Sequence, residues 1–369
     1  MNLLNFIIWS PDPAIFKIPL RAGYEHPIVW YGLLFALGFV VSQQFVFWFY
    51  KAEGRNVRDV DELTMYLVVA VIVGARLGHC VFYNPSHYLA NPVEILKIWE
   101  GGLASHGGAI GILIALYFYS RNKKDQPYIW MLDKVGLIVC LVGLFIRFGN
   151  FVNSEIIGIP TGSSYGVVFA RDVETFFLDG NQKIEKVNFE KNEDAEGNAP
   201  GHVPIVINLQ YERGKEISEQ EFSVYMELNF KNSIARYSSL SDHIYQDTNT
   251  PFEYKLYKKG GVQYADIYTM GIPRHPAQLY ESFYCLIIFL GLLHIWYHHR
   301  HQFADGFIFS IMMITLWSAR FVDEMFKENQ EAFEDGLALN MGQLLSLPMI
   351  AVGVIMLVIT LRKGKPKSV

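Results

Sequence analysis

The chain has 369 residues, 51% of them hydrophobic and 15% aromatic, with a formal net charge of −5. Spread over an apolar body and a charged insert, that net charge says little; no nucleic-acid partner is expected. The three cysteines, Cys80, Cys140 and Cys285, each sit inside an apolar run, which argues against a disulfide framework or a paired-cysteine metal site.

Charge is segregated along the chain, concentrated between residues 171 and 270 or in short clusters. A hydrocarbon core of ~30 Å takes about 20 mainly apolar residues per helix. Seven segments meet that need, near 28–50, 62–82, 102–120, 131–151, 276–297, 303–321 and 339–361. The first and last are the cleanest, whereas the second, third, fourth and sixth carry polar residues at one end. The N-terminus lacks a basic region followed by an apolar stretch and a small-residue cleavage site, so no removable signal peptide is expected.

Short-loop cations set the orientation. One set of loops holds Lys51, Arg55 and Arg58, then Arg121, Lys123 and Lys124, then Arg300, then Arg362, Lys363, Lys365 and Lys367. The opposite set holds only Lys17, Arg21, Lys97 and Lys327, and adds the acids Asp323, Glu324, Glu328, Glu331, Glu334 and Asp335. The N-terminus is therefore expected outside and the C-terminus in the cytoplasm. Residues 160–272 fall on the outer side as a soluble insert. Its alternating segments Val203–Leu209 and Phe222–Phe230 read as strands, and the charged run Glu185–Glu196 reads as a solvated hairpin or loop. The expected fold is an all-α polytopic membrane protein of seven transmembrane helices with a small, mainly β (α+β) insert. Its divisions are 1–159 (spans one to four), 160–272 (outer insert) and 273–369 (spans five to seven).

Ionisable groups at membrane depth are costly, a central Arg by ~2.5–3.5 kcal/mol, and mark function by default. Here they are Arg76, His79, His106, Arg147, Asn150, Glu155, Gln278, Glu281, Arg320 and Glu324, with Tyr31 and Gln343 as milder members. With the orientation applied, each lands in the outer half of the bilayer or at its edge. A single outward-facing cavity built from six helices is the expectation. The group His294, His298, His299 and His301 lies at the opposite end and reads as an interfacial cationic loop; no metal site and no cofactor are expected.

The run Arg147-Phe148-Gly149-Asn150-Phe151-Val152-Asn153-Ser154-Glu155-Ile156-Ile157-Gly158 resembles the signature of the prolipoprotein diacylglyceryl transferase family. Further stretches agree in the same order: Trp30-Tyr31-Gly32, Gly74–Gly78, Gly101–Gly108, Arg274–Glu281 and Met341–Pro348. The insert lies outside these blocks and looks longer than usual. His79 and Leu316 stand where the family commonly has Tyr, and Lys327 where a further Arg is common.

The resemblance implies transfer of a diacylglyceryl group from phosphatidylglycerol to the lipobox cysteine of a preprolipoprotein, in the bacterial inner membrane with the site toward the periplasm. It implies Arg147 and Arg320 as a phosphate clamp, because guanidinium offers paired donors and a permanent charge. His106 is the candidate base for the thiol, since imidazole titrates near neutrality. Tyr31, Arg76, Asn150, Asn153, Glu155, Gly158, Gln278, Glu281 and Glu324 complete the substrate-binding set, with the acids orienting the arginines. Two other classes stay open at this point. A secondary transporter also carries intramembrane charge, although its sites lie near the midplane and often within inverted repeats. A scaffolding membrane protein would bind a partner through the insert.

Overall fold

The computed structural model describes residues 5–19, 25–98, 101–180, 183–193, 195, 200–247, 249–328 and 336–363. Arg21, Glu196, Glu331, Glu334, Asp335, Lys365 and Lys367, named above, lie outside the described residues. In chain order, strands β1 (Phe6–Trp9), β2 (Ala14–Pro19) and β3 (Glu25–Val29) precede helices α1 (Trp30–Ala52) and α2 (Asp59–Phe82). Then come α3 (Pro85–Ala90), α4 (Ser105–Asn122), α5 (Tyr128–Val152), β4 (Gly166–Phe169), α6 (Arg171–Asp179), β5 (Ile184–Lys191) and β6 (Val203–Tyr211). A helical rod follows as α7 (Glu219–Val224), a π-helical turn (Tyr225–Phe230) and α8 (Lys231–Arg236), then α9 (Ser238–Ser241). Strands β7 (Ile244–Tyr245), β8 (Glu253–Lys259) and β9 (Val262–Gly271) lead into α10 (Ala277–His299), α11 (Phe307–Asp323) and α12 (Met341–Lys363).

Among the described residues, five helices are long and apolar enough to cross a bilayer: α1, α2, α5, α10 and α12. Their outer faces are apolar, with Val40, Val69, Val73, Ile287, Leu290 and Ile355 exposed. Contiguous apolar surface of that extent is untenable in water and suits lipid, so the protein is a membrane protein. Helices α4 and α11 lie where the third and sixth spans were expected, but they have 18 and 17 residues, about 25–27 Å of helix.

The chain divides into two compact units: one of Met1–Leu34, Ile146–Ser282 and Val322–Asn340, the other of Phe35–Phe145, Phe283–Phe321 and Met341–Val369. The second unit is helical. Its core holds Phe49, Tyr50, Leu116, Leu137 and Trp296, all fully buried. Two acids, the half-buried Glu53 and the buried Asp133, pin it. Glu53 accepts from the indole N–H groups of Trp130 and Trp296, each at 2.6 Å, and pairs with Lys134. Asp133 accepts the backbone N–H groups of Gly306 (2.8 Å) and Phe309 (2.7 Å), satisfying donors that the start of α11 leaves unpaired. Helices α2 and α4 cross at backbone distance. A Cβ on Gly107 would lie 2.3 Å from the carbonyl oxygen of Gly74, and one on Gly78 would lie 2.7 Å from the Cα of Gly107. Only glycine permits that approach.

The first unit is built on a five-stranded antiparallel sheet of order β5-β6-β9-β7, with β8 also paired to β9. Alternation from Ile205 onward buries Ile205, Ile207, Leu209 and Tyr211 of β6, as the period-2 pattern requires, after a start where Val203 and Pro204 are both buried. Strand β5 forms the first arm of a hairpin with β6 across the expected charged run, its acids and lysines outward. Phe222–Phe230, expected as a strand, is helical. Ser218 and Glu221 form a reciprocal capping box, and Phe222, Met226 and Phe230 recur every four residues to face the sheet core. The helical period and the cap outweighed local alternation there. Strand β1 pairs in parallel with β4, Phe6 opposite Gly166, and β2 with β3 forms a separate hairpin.

Candidate active site

The first unit gathers nine of the expected site residues at helix ends. Arg147 and Asn150 occupy the last turn and a half of α5, and Gln278 and Glu281 the first turns of α10. Arg147 Nε lies 2.9 Å from Glu281 Oε1, and Arg147 Nη1 donates to Asn150 Oδ1 at 3.3 Å. Asn150 Nδ2 in turn donates to Glu155 Oε2 at 3.1 Å, and Asn153 Nδ2 to Glu155 Oε1 at 3.0 Å. The Gln278 amide reaches back to the carbonyl of Glu155 at 2.5 Å. The turn that presents Glu155 is strained: Ser154 (φ 57°) and Ile156 (φ 54°) flank it in the left-handed region, which a β-branched residue rarely enters. Tyr31 packs across Gly149, where an added Cβ would lie 3.2 Å from the Tyr31 Cα.

A second layer reinforces the arginine. Glu281 Oε2 accepts from Lys327 Nζ at 2.8 Å, and the same ammonium lies 3.0 Å from Asp323 and 3.3 Å from Glu324. Side chains of all four are at most 11% exposed. Lys327 is thus the hub of the acids below Arg147, a role absent from the expected site. Its i−4 and i−3 acids were the available sequence signal. Gly158 is wedged between two backbones: a Cβ there would meet the carbonyl oxygens of His275 at 2.4 Å and Phe326 at 2.6 Å. Arg274, 2% exposed, closes the stem by donating to the carbonyls of Asp242 (2.5 Å) and Gly158 (3.0 Å) and pairing with Glu328. Beside it, burial lowers the His275 imidazole below its usual value of 6.5.

The other expected residues, Arg76, His106 and Arg320, belong to the helical unit. Arg76, 4% exposed, spends its guanidinium on loop carbonyls: Ile95 at 2.9 Å, Glu94 at 2.6 Å, Gly101 at 2.6 Å and Gly102 at 3.3 Å. It organises the segment leading to His106. His106, the second residue of α4, is exposed and makes ring contacts with Phe82 (centroids 5.1 Å) and Tyr83 (6.1 Å). His79 stacks on the same Tyr83 at 5.2 Å. Arg320 lies with its guanidinium carbon 5.9 Å from the ring centre of Trp317.

Apolar helices with Arg147, Asn150, Gln278 and Glu281 joined in one polar network at their ends define a membrane protein. The family model described as prolipoprotein diacylglyceryl transferase matches residues 17–359. Proteins named phosphatidylglycerol–prolipoprotein diacylglyceryl transferase from Tolumonas auensis, Chloroherpeton thalassium and Porphyromonas gingivalis are 30%, 30% and 31% identical to it. The alignments cover 97%, 97% and 96% of this chain and 98%, 95% and 94% of those proteins. The chain belongs to the prolipoprotein diacylglyceryl transferase family and is an enzyme of the transferase class. The matched span runs through 160–272, which the motif blocks left out.

Proposed function

We propose that the protein moves the diacylglyceryl group of phosphatidylglycerol onto the lipobox cysteine of a preprolipoprotein, as the names of its relatives describe for them. The cysteine thiolate attacks the glyceryl carbon bonded to phosphate oxygen. A C–S bond forms, the C–O bond breaks, and glycerol 1-phosphate leaves with the bonding electron pair. Only the thiolate is a competent nucleophile, and His106 takes its proton. Arg147 and Arg320 hold the phosphate and offset the charge that grows on the leaving oxygen.

The observation that carries this reading is a pair of orphaned acceptors in the Arg147 network. Gln278 Oε1 and Asn153 Oδ1 are buried without a hydrogen-bond partner among the described residues, in residues 1% and 7% exposed. Buried acceptors left unmade are costly, and the two hydroxyls of a glycerol headgroup are donors that satisfy them. Arg76 then acts as a positioning residue for the His106 segment rather than a direct ligand, and Gly158 as a spacer that lets the stem close.

The setting that goes with this chemistry is seven spans, with α4 and α11 completing the bundle, in the bacterial inner membrane. The sheet-bearing insert lies on the periplasmic side, where a translocated cysteine arrives. The short-loop cation bias supports that orientation. The test is transfer of labelled diacylglyceryl from phosphatidylglycerol to a lipobox peptide. His106→Gln and Arg147→Ala proteins, correctly inserted, are expected to transfer little; near-normal transfer by both removes this mechanism.

A further inference from the structure

His106 has a fixed backbone, but its ring is held by contacts alone. The next residue, Gly107, packs on α2 so closely that a Cβ on Gly78 would lie 2.7 Å from its Cα. The imidazole is exposed, and among the described residues no hydrogen bond reaches it. Its neighbours are rings at the C-terminal end of α2. Phe82 meets it edge-on, with centroids 5.1 Å apart and planes at 70°. Tyr83 lies more nearly parallel to it, at 6.1 Å and 28°. Aromatic pairs attract over such separations.

Tyr83 is itself braced. His79, one turn earlier on the same helix face, stacks on it at 5.2 Å with planes 17° apart. The His79 ring meets Tyr88 edge-on at 6.0 Å. It also presses on the backbone of Gly102, where a Cβ would lie 2.6 Å from His79 Cδ2 and 2.7 Å from Nε2. Gly102, left-handed at φ 72°, belongs to the loop whose carbonyls Arg76 holds. Support thus runs from Arg76 through Gly102, His79 and Tyr83 to His106. Phe82 and Tyr83 are 63% and 59% exposed, so neither belongs to the buried core of the helical unit.

A general base acts within about 2.6–3.2 Å of the group whose proton it takes, and a displacement of about 1 Å can cost about 100-fold in rate. An exposed imidazole without a hydrogen bond turns among several rotamers unless something else holds it. We propose that Tyr83, braced by His79, is a positioning residue that sets the orientation of the His106 ring for taking the thiol proton. The proposal rests on the reading of His106 as that base. It also gives a role to His79, which stands where the family commonly has Tyr: either residue offers a flat ring to back Tyr83.

The test compares full-length Tyr83→Leu, Tyr83→Phe and His106→Gln proteins with the parent. The readouts are kcat and KM for transfer from phosphatidylglycerol to a lipobox peptide, and magnetic resonance of isotope-labelled histidine in detergent. Tyr83→Leu is expected to lower kcat about 3–10-fold, the scale of one aromatic pair, with KM for both substrates within about 2-fold. Tyr83→Phe keeps the ring and is expected to restore kcat. The imidazole signal missing from His106→Gln identifies His106. It should move downfield in Tyr83→Leu, where the stacked ring no longer shields it, and stay in place in Tyr83→Phe. A parent-like kcat in Tyr83→Leu, equal losses in both Tyr83 variants, a change confined to KM, or an unmoved His106 signal overturns the proposal. Near-normal transfer by His106→Gln instead removes His106 as the base, whereas an inactive His106→Gln beside a parent-like Tyr83→Leu removes the positioning role alone.

Discussion

Lys327→Met tests the layer beneath Arg147. The substitution keeps length and removes a charge shared by Glu281, Asp323 and Glu324 at 2.8, 3.0 and 3.3 Å. At an effective dielectric of about 20, each contact is worth roughly 5–6 kcal/mol of gross attraction. Desolvation of four nearly buried ions offsets most of it, so the expected net loss is about 3–5 kcal/mol, the scale of a broken buried pair. Three carboxylates are then left together, and Glu281, which orients Arg147, is pulled from its position. Unfolding by graded sodium dodecyl sulfate should show that loss, and kcat/KM for diacylglyceryl transfer should fall at least 10-fold. Adding Asp323→Asn should restore part of the stability, since it removes one of the stranded charges. A Lys327→Met protein within about 0.5 kcal/mol of the parent and fully active would refute the assignment of Lys327 as a hub.

Four further outcomes follow from other sites. Gln278→Leu removes an orphaned acceptor and should raise KM for phosphatidylglycerol more than it lowers kcat, measured by initial rates on mixed micelles. Arg76→Ala strands four loop carbonyls, so hydrogen exchange across residues 94–102 should quicken while the sheet-bearing insert is unchanged. Gly107→Val forces a side chain into the backbone of α2 and should cost at least about 1–3 kcal/mol, read as a lower thermal midpoint in detergent. Asp172 is held below its usual 3.8 chiefly by its hydrogen bond with His243. Its stabilising contribution is therefore present above that value and lost as pH falls through the depressed one. Asp172→Asn should flatten the loss of stability of the insert below about pH 4, followed by circular dichroism.

The long apolar helices were legible because a bilayer imposes length and composition together, and the expected ends of α1, α5 and α10 fall within a few residues of those observed. Strand β6 was legible from the alternation that runs from Ile205 to Tyr211. The rod at 219–236 was not: Phe222–Phe230 also alternates in part, and the Ser218–Glu221 cap that decides for helix lies outside the window that was read. The pairing of β1 with β4, about 160 residues apart, leaves no local trace at all. For the site, Arg147, Asn150, Glu155, Gln278 and Glu281 stand out as polar groups in apolar surroundings and Asn153 only through the family resemblance, and the structure joins all six in one bonded network. Lys327 stands out in sequence only as a departure from the family pattern, and its acids three and four positions before it carry the signal of its role. Arg76 shows the converse: buried charge marked an important residue, but not that its partners would be the carbonyls of its own loop.

The stem formed by Gly158, Pro160 and Val167 with Arg274 and His275 has a consequence for variation among relatives. Pro160 and Val167 each bridge to Arg274, and Gly158 donates its backbone N–H to the carbonyl of His275, so the chain leaves and re-enters at one narrow neck. The distance between Glu155 and Gln278 is set at that neck and not by the hundred or so residues looped above it. Closing so long a loop costs only about 0.6 kcal/mol more for each doubling of its length. Insertions, deletions or wholesale replacement above the neck therefore leave the spacing of the two helix ends intact. The insert is free to diversify while the residues at its base stay in register.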